Sequence, residues 1–540
     1  MQTTVKELPE MHDPELIVIR SIMERHAAQQ PSAVAISFED GTSWTYQQAL
    51  EQGYRAAQRL RAAGIGSGDR VAILLPNGAD FLRAWWGTSF LGATMAPISP
   101  SWKGDMLAHA LSLSRAALLV TTPAFEEAVA ASGSAANVLA AGDLATGLAS
   151  PPELERDLQI WDTHHLQFTS GTTGPSKAAV ASYYQFHMTG SWVGDGLGWT
   201  SDDIVQCDLP LFHAGSLAVA ASCLARGGVL AVRTAPSMTR YWQVARETGA
   251  TFGFLVSSMA AFLLAQPESP ADRDHAMRAM MAAPLPEDVD AFRRRFGIER
   301  IITAYGSSES SAPIIQVPGE RPLTAGSCGR VRPPFEARLV DDFDIEVAEG
   351  QPGELILRSD DPWCITTGYF GDDSATARVW RNGWFHTGDQ LRRDSDGNYF
   401  FVDRLTDSLR RRGENISSFE VERAVAAFPG VAEVACVAAP PDSHLGVDNE
   451  VKVWVAPESA AEIDFQAMAE FLVSRLPHHM VPRFYETIEQ LPKTPSMRVQ
   501  KFHLRSLGNS DATWDLEANG FQVTRAGLRP RNTPVGHPRG

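Results

Sequence analysis

The chain of 540 residues is short of cysteine, of long apolar runs and of positive charge, and each shortage removes a class of answer. Its five cysteines, Cys207, Cys223, Cys328, Cys364 and Cys436, are scattered without CxxC spacing, which excludes a disulfide framework and a cysteine zinc site. They read as reduced packing residues. The most conspicuous apolar stretch, Leu217 to Val232, is broken by Arg226, Gly227 and Gly228, so no membrane span is expected. Residues 1–20 carry acidic groups before a short apolar run and lack a small-residue cleavage site, which argues against a secretory signal and for a cytoplasmic address. Lysine and arginine number 47 against 64 aspartates and glutamates, a formal charge of −17. Nonspecific nucleic-acid binding is thereby excluded, and any polyanionic ligand must be met locally.

What is present is a length that demands two or three packed units and a hydrophobic content of 44% able to fill them. Asp40-Gly41 marks a hairpin between Ala35 and Tyr46, and Thr45 with Gln48 forms a capping box for the helix beyond. Arg70 to Leu75, Asn77 to Leu91 and Ala93 to Ile98 read as strand, helix and strand, and the pattern recurs to about Thr303. This predicts an α/β fold with a parallel sheet in a large unit over residues 1–403. From about 325 to 403, short strands and turn signals such as Asp396-Gly397 mark a β-rich subdomain. A small α+β domain is expected over 404–510, with a helix capped by Ser417 and Glu420. Residues 511–540, rich in Pro, Gly and Arg towards their end, are expected to be disordered.

The most informative stretch is Leu166-Gln-Phe-Thr-Ser-Gly-Thr-Thr-Gly-Pro-Ser-Lys177, an apolar strand running into a loop of hydroxyls, glycines and one lysine. Gly171 and Gly174 let backbone N–H groups approach an anion, Thr169, Ser170, Thr172 and Thr173 add short donors, and Lys177 adds a point charge. Its spacing is not the GxxxxGK[ST] of a Walker loop. It predicts phosphate binding.

Its companions are Leu209-Pro-Leu-Phe-His-Ala-Gly215, Ala304-Tyr-Gly-Ser-Ser-Glu309, Gly383-Trp-Phe-His-Thr-Gly-Asp389, Asp403-Arg404, Gly413-Glu-Asn-Ile416 and Lys493-Thr-Pro-Ser-Met-Arg-Val-Gln-Lys501. In order and spacing these resemble the adenylate-forming superfamily of acyl-CoA synthetases, adenylation domains and luciferases, over about residues 15 to 505. Within it the chain looks most like the crotonobetaine/carnitine-CoA ligase branch, above all around RRRGENISSFEVE.

The resemblance implies a large adenylation domain and a small mobile domain that use ATP, Mg²⁺ and coenzyme A on a carboxylic acid. A homodimer is the default assembly. The loop from Thr169 to Lys177 would hold the β- and γ-phosphates, with Glu309 coordinating Mg²⁺ and Ser308, after Gly306 and Ser307, donating to the α-phosphate. Tyr305 would stack on adenine beside Ala282, Ala283 and Pro284, Asp389 would accept from the ribose hydroxyls, and Arg404 would contact the nucleotide. Phe212 and His213 resemble an aromatic and histidine pair at the acyl pocket, joined by Ser257, Ser258, Met259 and Ala304. Thr406 stands where the family's hinge residue falls, Gly413 would pass close to pantetheine, and Arg410 to Arg412 read either as CoA phosphate contacts or as an exposed charged turn.

One position departs from the family: Arg498 stands where its adenylation lysine is expected. Arginine keeps the charge on a longer, planar fork, and loss of such a donor costs roughly 3 to 4 kcal/mol. Three readings stand at this point. Arg498 does the work, Lys501 reaches in from three residues later, or adenylation is slow or altered. Three functions stand beside them: acid-CoA ligation, adenylation with transfer to an amine, nitrite or carrier protein, and noncatalytic nucleotide or acyl binding. The acid is open, since the 13 tryptophans are not placed in a pocket by sequence.

Overall fold

Local signals set the opening elements. Strands Val34–Phe38 and Ser43–Thr45 pair antiparallel across Asp40-Gly41. Thr45 Oγ1 accepts from Gln48 N at 3.2 Å while Gln48 Oε1 accepts from Thr45 N at 2.9 Å, which starts the helix Tyr46–Ala62. The computed structural model describes residues 12–169, 176–256, 259–283, 285–286, 288–316, 324–404, 409–411, 414–439, 450–458, 462–493, 499–524 and 527–530.

Among these residues two large sheets dominate. One has six strands, in the order 137–140, 118–121, 70–74, 94–97, 163–168 and 178–182, all parallel except the last pair. The other has nine, in the order 330–331, 311–316, 300–307, 279–283, 252–256, 204–207, 229–232, 34–38 and 43–45, parallel in its middle and antiparallel at its ends. A continuous apolar core joins both sheets to the helices Tyr183–Leu197 and Ala214–Ala225. Asn77 stitches the two halves together. Its Nδ2 donates to Leu209 O and Arg233 O, and its Oδ1 accepts from Leu211 N. Parallel strands open ligand sites at their carboxyl ends, and here those ends deliver Thr169, Phe212-His213 and Ser308-Glu309.

A five-stranded antiparallel sheet follows, in which Trp384–Arg393 lies between Gly353–Ser359 and Tyr399–Arg404. The smaller unit has its own core around Val421, Val453, Leu472 and Tyr485. The two units meet at Asp403. Its Oδ2 accepts from Ser418 N at 2.6 Å, and Ser417 Oγ donates to Val402 O at 2.8 Å, so the last strand of the large unit grips the first turn of the helix Ser418–Ala426.

The expected disorder of 511–540 is corrected over much of its length. Trp514–Asp515 adds a strand to the small unit's sheet, and Phe521–Thr524 pairs with Gly527–Pro530. Leu516 is buried, and Trp514, Phe521, Val523 and Leu528 pack on the same core. Arg483 grips Asp515 through two bonds of 2.9 and 3.0 Å. The composition of the final residues masked an alternating apolar pattern upstream of them.

Candidate active site

The neck of the phosphate loop is closed by backbone: Thr169 N donates to Lys177 O at 2.8 Å, continuing the pairing of Phe168 with Ala178. Ser170, Gly171, Thr172, Thr173 and Gly174 lie outside the described residues, as do Pro284, Ser257, Ser258, Thr406, Arg412, Gly413 and Arg498. Past the neck, Lys177 Nζ stands 5.4 Å from the ring centre of Tyr369. The Tyr369 hydroxyl donates to Glu309 Oε1 at 3.0 Å. Burial first, and then the Glu309 carboxylate, pushes the Tyr369 phenol above its ordinary value, so it remains a donor at neutral pH.

Glu309 sits in a turn after the strand Arg300–Ser307. Gln185, 2% exposed on the helix Tyr183–Leu197, holds that turn by donating to Ser308 O at 2.9 Å and Glu309 O at 3.1 Å. Thr366 N adds a bond to Glu309 O at 2.7 Å, and Ser307 Oγ accepts from the amides of Glu309 and Ser310. Gly306 is required by close approach, since a Cβ there would fall 2.1 Å from Ser311 O.

On the same strand the buried Tyr305 donates its hydroxyl to Asp389 Oδ2 at 2.7 Å, and Arg404 Nε lies 3.5 Å from Asp389 Oδ1. Asp389 and Arg404 are cross-strand partners in the β-rich sheet. Glu354 fixes the approach to Asp389, accepting from Gly388 N at 3.1 Å and meeting His386 Nδ1 at 2.9 Å. Burial, followed by the Asp389 carboxylate, holds the Tyr305 phenol protonated. A ribose at Asp389 would therefore share its oxygens with Tyr305 and Arg404, which the four lone-pair positions of a carboxylate permit.

The rings of Phe212 and His213 are 4.3 Å apart, at the entrance to the helix Ala214–Ala225. Gln167, two residues before the phosphate loop's neck, donates to Phe212 O at 3.2 Å and ties this pair to the loop's strand. Ala282 and Ala283 end the strand Ala279–Ala283, paired with Leu255 and Val256.

Two expectations about charge are corrected. Lys501 is 13% exposed and paired with Glu422 at 2.8 Å within the small unit, and it also donates to Ser418 Oγ. Burial opposes its charge, but Glu422 and Asp403 outweigh that and hold its pKa above the ordinary value. This pairing holds it within the small unit, against the expectation that it reaches in place of Arg498. Arg411 is 5% exposed, paired with Glu450 at 2.7 Å and donating to Val481 O and His479 O. Within the Arg410 to Arg412 run it is thus neither an exposed turn residue nor a cation open to CoA phosphate. Arg410 stands on the strand Leu409–Arg411.

Tyr369 and Gln185 were not singled out in the sequence, because each works through a partner more than 50 residues away. The local sign of Tyr369 is its place beside Gly368, whose φ of 143° marks an unusual backbone.

Lys177 and Glu309 at the carboxyl edge of the α/β sheets, Asp389 and Arg404 on the adjoining β-rich sheet, and a small α+β unit beyond them give the outline of a two-domain enzyme. The profile of the AMP-binding enzyme family matches residues 23–370, and that of the AMP-binding enzyme C-terminal domain matches 420–498. The chain belongs to the AMP-binding enzyme family. It is 30% identical over 492 residues to the crotonobetaine/carnitine–CoA ligase of Salmonella typhi, covering 86% of this chain and 93% of that one. Its fold matches the O-succinylbenzoate coenzyme A synthetase of Bacillus subtilis in complex with AMP, with a TM-score of 0.81 and 22% identity over 91% of this chain and 99% of that one. ATP-bound MatB from Rhodopseudomonas palustris matches with a TM-score of 0.81 and 24% identity, over 90% of this chain and 98% of that one.

Proposed function

We propose that the chain joins a carboxylic acid to the α-phosphate of ATP, releasing pyrophosphate, and then passes the acyl group from AMP to the thiol of coenzyme A. The observation that carries this reading is a pair of contact series, one from Lys177 through Tyr369 to Glu309 and one from Tyr305, on the strand leading into the Glu309 turn, to Asp389 and Arg404. Relatives named as CoA ligases over 93% of their length support the choice of thiol.

In this reading the loop from Thr169 to Lys177 takes the outgoing pyrophosphate, and Lys177 offsets the charge that gathers there. Ser308 serves the α-phosphate, Asp389 the ribose, and Arg404 the nucleotide near the junction of the two units. Glu309 is a carboxylate beside the phosphate loop, a donor that suits Mg²⁺, which takes one or two carboxylates together with substrate phosphates. When bound, the ion draws charge from the phosphate oxygens. Tyr369 aims the Glu309 carboxylate and Gln185 holds its backbone, so the ligand group is oriented before substrate arrives. Phe212 and His213 flank the acyl group. Because Lys501 is committed to Glu422, the cation that bridges carboxylate and α-phosphate is assigned to Arg498.

Among the described residues no helix is long and apolar enough to cross a membrane, and all five cysteines are free thiols. A cytoplasmic setting, where ATP and CoA are at hand, fits both.

The test is exchange of labelled pyrophosphate into ATP with a panel of short, branched, aromatic and betaine-type acids, followed by AMP release on adding CoA. Exchange with at least one acid and CoA-dependent release are expected. AMP release only with an amine, nitrite or carrier protein would overturn the assignment of CoA.

A further inference from the structure

A second pocket lies away from the nucleotide cluster. It has a volume of about 300 Å³ and opens at the amino ends of the strands Arg70–Leu74, Thr94–Pro97 and Thr163–Phe168, the opposite end from Thr169. Leu166, Val180 and Phe370 give it an apolar lining. Arg70 and Arg115 stand over the Phe370 ring, with guanidinium carbons 5.2 and 5.4 Å from its centre. Neither arginine has a carboxylate partner among the described residues. Arg70 spends Nε and Nη2 on the carbonyls of Ser114 and Arg115, which leaves Nη1. Of the two, Arg70 lines the recess itself and Arg115 adjoins it through the shared Phe370 ring; the other lining arginine, Arg156, is already neutralised by Asp162 through bonds of 2.6 and 2.8 Å.

In a chain of charge −17, two uncompensated cations over one aromatic ring beside an apolar recess form a site with two demands. The recess asks for an apolar body and the arginines ask for an anion. We infer that this pocket binds a small amphiphilic organic anion, its apolar body against Leu166, Val180 and Phe370 and its charged group at Arg70, with the adjoining Arg115 adding to the local positive potential.

The pocket is separated from the catalytic row by one extended segment. Phe370 N donates to Ala178 O, Val180 N donates to Gly368 O, and Tyr369 bridges Ala179. Successive side chains of an extended segment point to opposite faces, which puts Phe370 on the pocket while its neighbour Tyr369 holds Glu309. The site is therefore distinct from the one that takes nucleotide.

The test is calorimetric titration of the full chain with naphthalene-2-sulfonate, which lacks a carboxylate to be activated, under saturating AMP to fill the nucleotide cleft. One-to-one binding is expected, weakened at least tenfold by Arg70→Met and by Arg115→Gly. Arg115 has φ 46° at the end of the helix Gly104–Ser114, a conformation glycine adopts freely, so that variant keeps the fold even if Arg70→Met does not. Inorganic phosphate, an anion without an apolar body, is expected to bind at least tenfold more weakly. Absence of saturable binding, unchanged affinity in Arg115→Gly, or phosphate binding as tight as the sulfonate would each overturn the inference.

Discussion

Acidification offers a quantitative probe of the strand that carries the phosphate loop. His164 and His165 lie on that strand and are 0% and 1% exposed. Trp85 Nε1 donates to His164 Nε2 at 3.0 Å, so that nitrogen must be an acceptor and the proton of His164 sits on Nδ1. His164 Nδ1 then donates to His165 Nδ1 at 2.8 Å. A proton added to either ring would break one of these bonds and bury a charge. Burial accordingly holds His164 well below the ordinary value of 6.5 and His165 at about 3. Both folded-state values are depressed, so the unfolded chain takes up protons first. The contribution is complete above the unfolded value and is lost as pH falls through it towards the folded one. At about 1.4 kcal/mol per pH unit, bringing the pH from 6.5 to 5 removes about 2 kcal/mol at His165, and His164 adds to the loss in the same direction. For His165 alone that is a sizeable share of a stability typically of about 5 to 15 kcal/mol. Urea unfolding followed by tryptophan fluorescence at pH 7.5 and 5.0 reads this directly. His165→Leu should shrink the loss on acidification by about 2 kcal/mol relative to the unaltered chain. Equal losses in the two proteins would refute the buried neutral pair.

Three other predictions follow from single contacts. Tyr369→Phe removes a bond to a charged acceptor, worth roughly 1.5 to 3 kcal/mol; pyrophosphate exchange should fall about 10- to 150-fold with little change in melting temperature. Lys501→Met leaves Glu422 buried without its cation and should cost roughly 3 to 5 kcal/mol of stability in denaturant titration, whereas Arg498→Ala should leave unfolding unchanged and depress exchange. Truncation after Ser510 exposes the core around Leu516 and Trp514 and removes the Asp515 partner of Arg483; the melting transition of the small unit should fall by several degrees.

Much of the fold could be read locally. The capping box at Thr45, the N-cap at Ser417, the hairpin at Asp40-Gly41 and the strand into the phosphate loop are all encoded within a few residues, and the structure contains each of these elements. The family motifs singled out Glu309, Asp389 and Arg404, and the structure pairs the strands of Asp389 and Arg404 and joins Asp389 to Tyr305, on the strand before Glu309. Tyr369 was invisible because its value lies in reaching a carboxylate 60 residues away, and no periodicity reports that. Lys501 and Arg411 misled for a related reason. A charged residue in a polar-looking stretch reads as surface or function, and only the tertiary structure reveals Glu422 and Glu450 waiting as buried partners. In the tail, proline and arginine near the end hid the alternation of Trp514, Leu516, Phe521 and Val523.

The grip of Asp403 on Ser418 has a mechanical meaning. The helix Ser418–Ala426 borrows an amide partner from the neighbouring unit, in addition to the cap supplied by its own Ser417. Were the small unit to swing about the segment after Arg404, that borrowed acceptor and the Ser417 bond to Val402 would be surrendered together, at a cost of roughly 1.5 to 3 kcal/mol for the bond to the Asp403 carboxylate and about 1 kcal/mol for the other. Water at the freed carboxylate and new contacts can offset an amount of that size. Asp403 would then act as a light detent, strong enough to define a resting pose and weak enough to be released in every turnover.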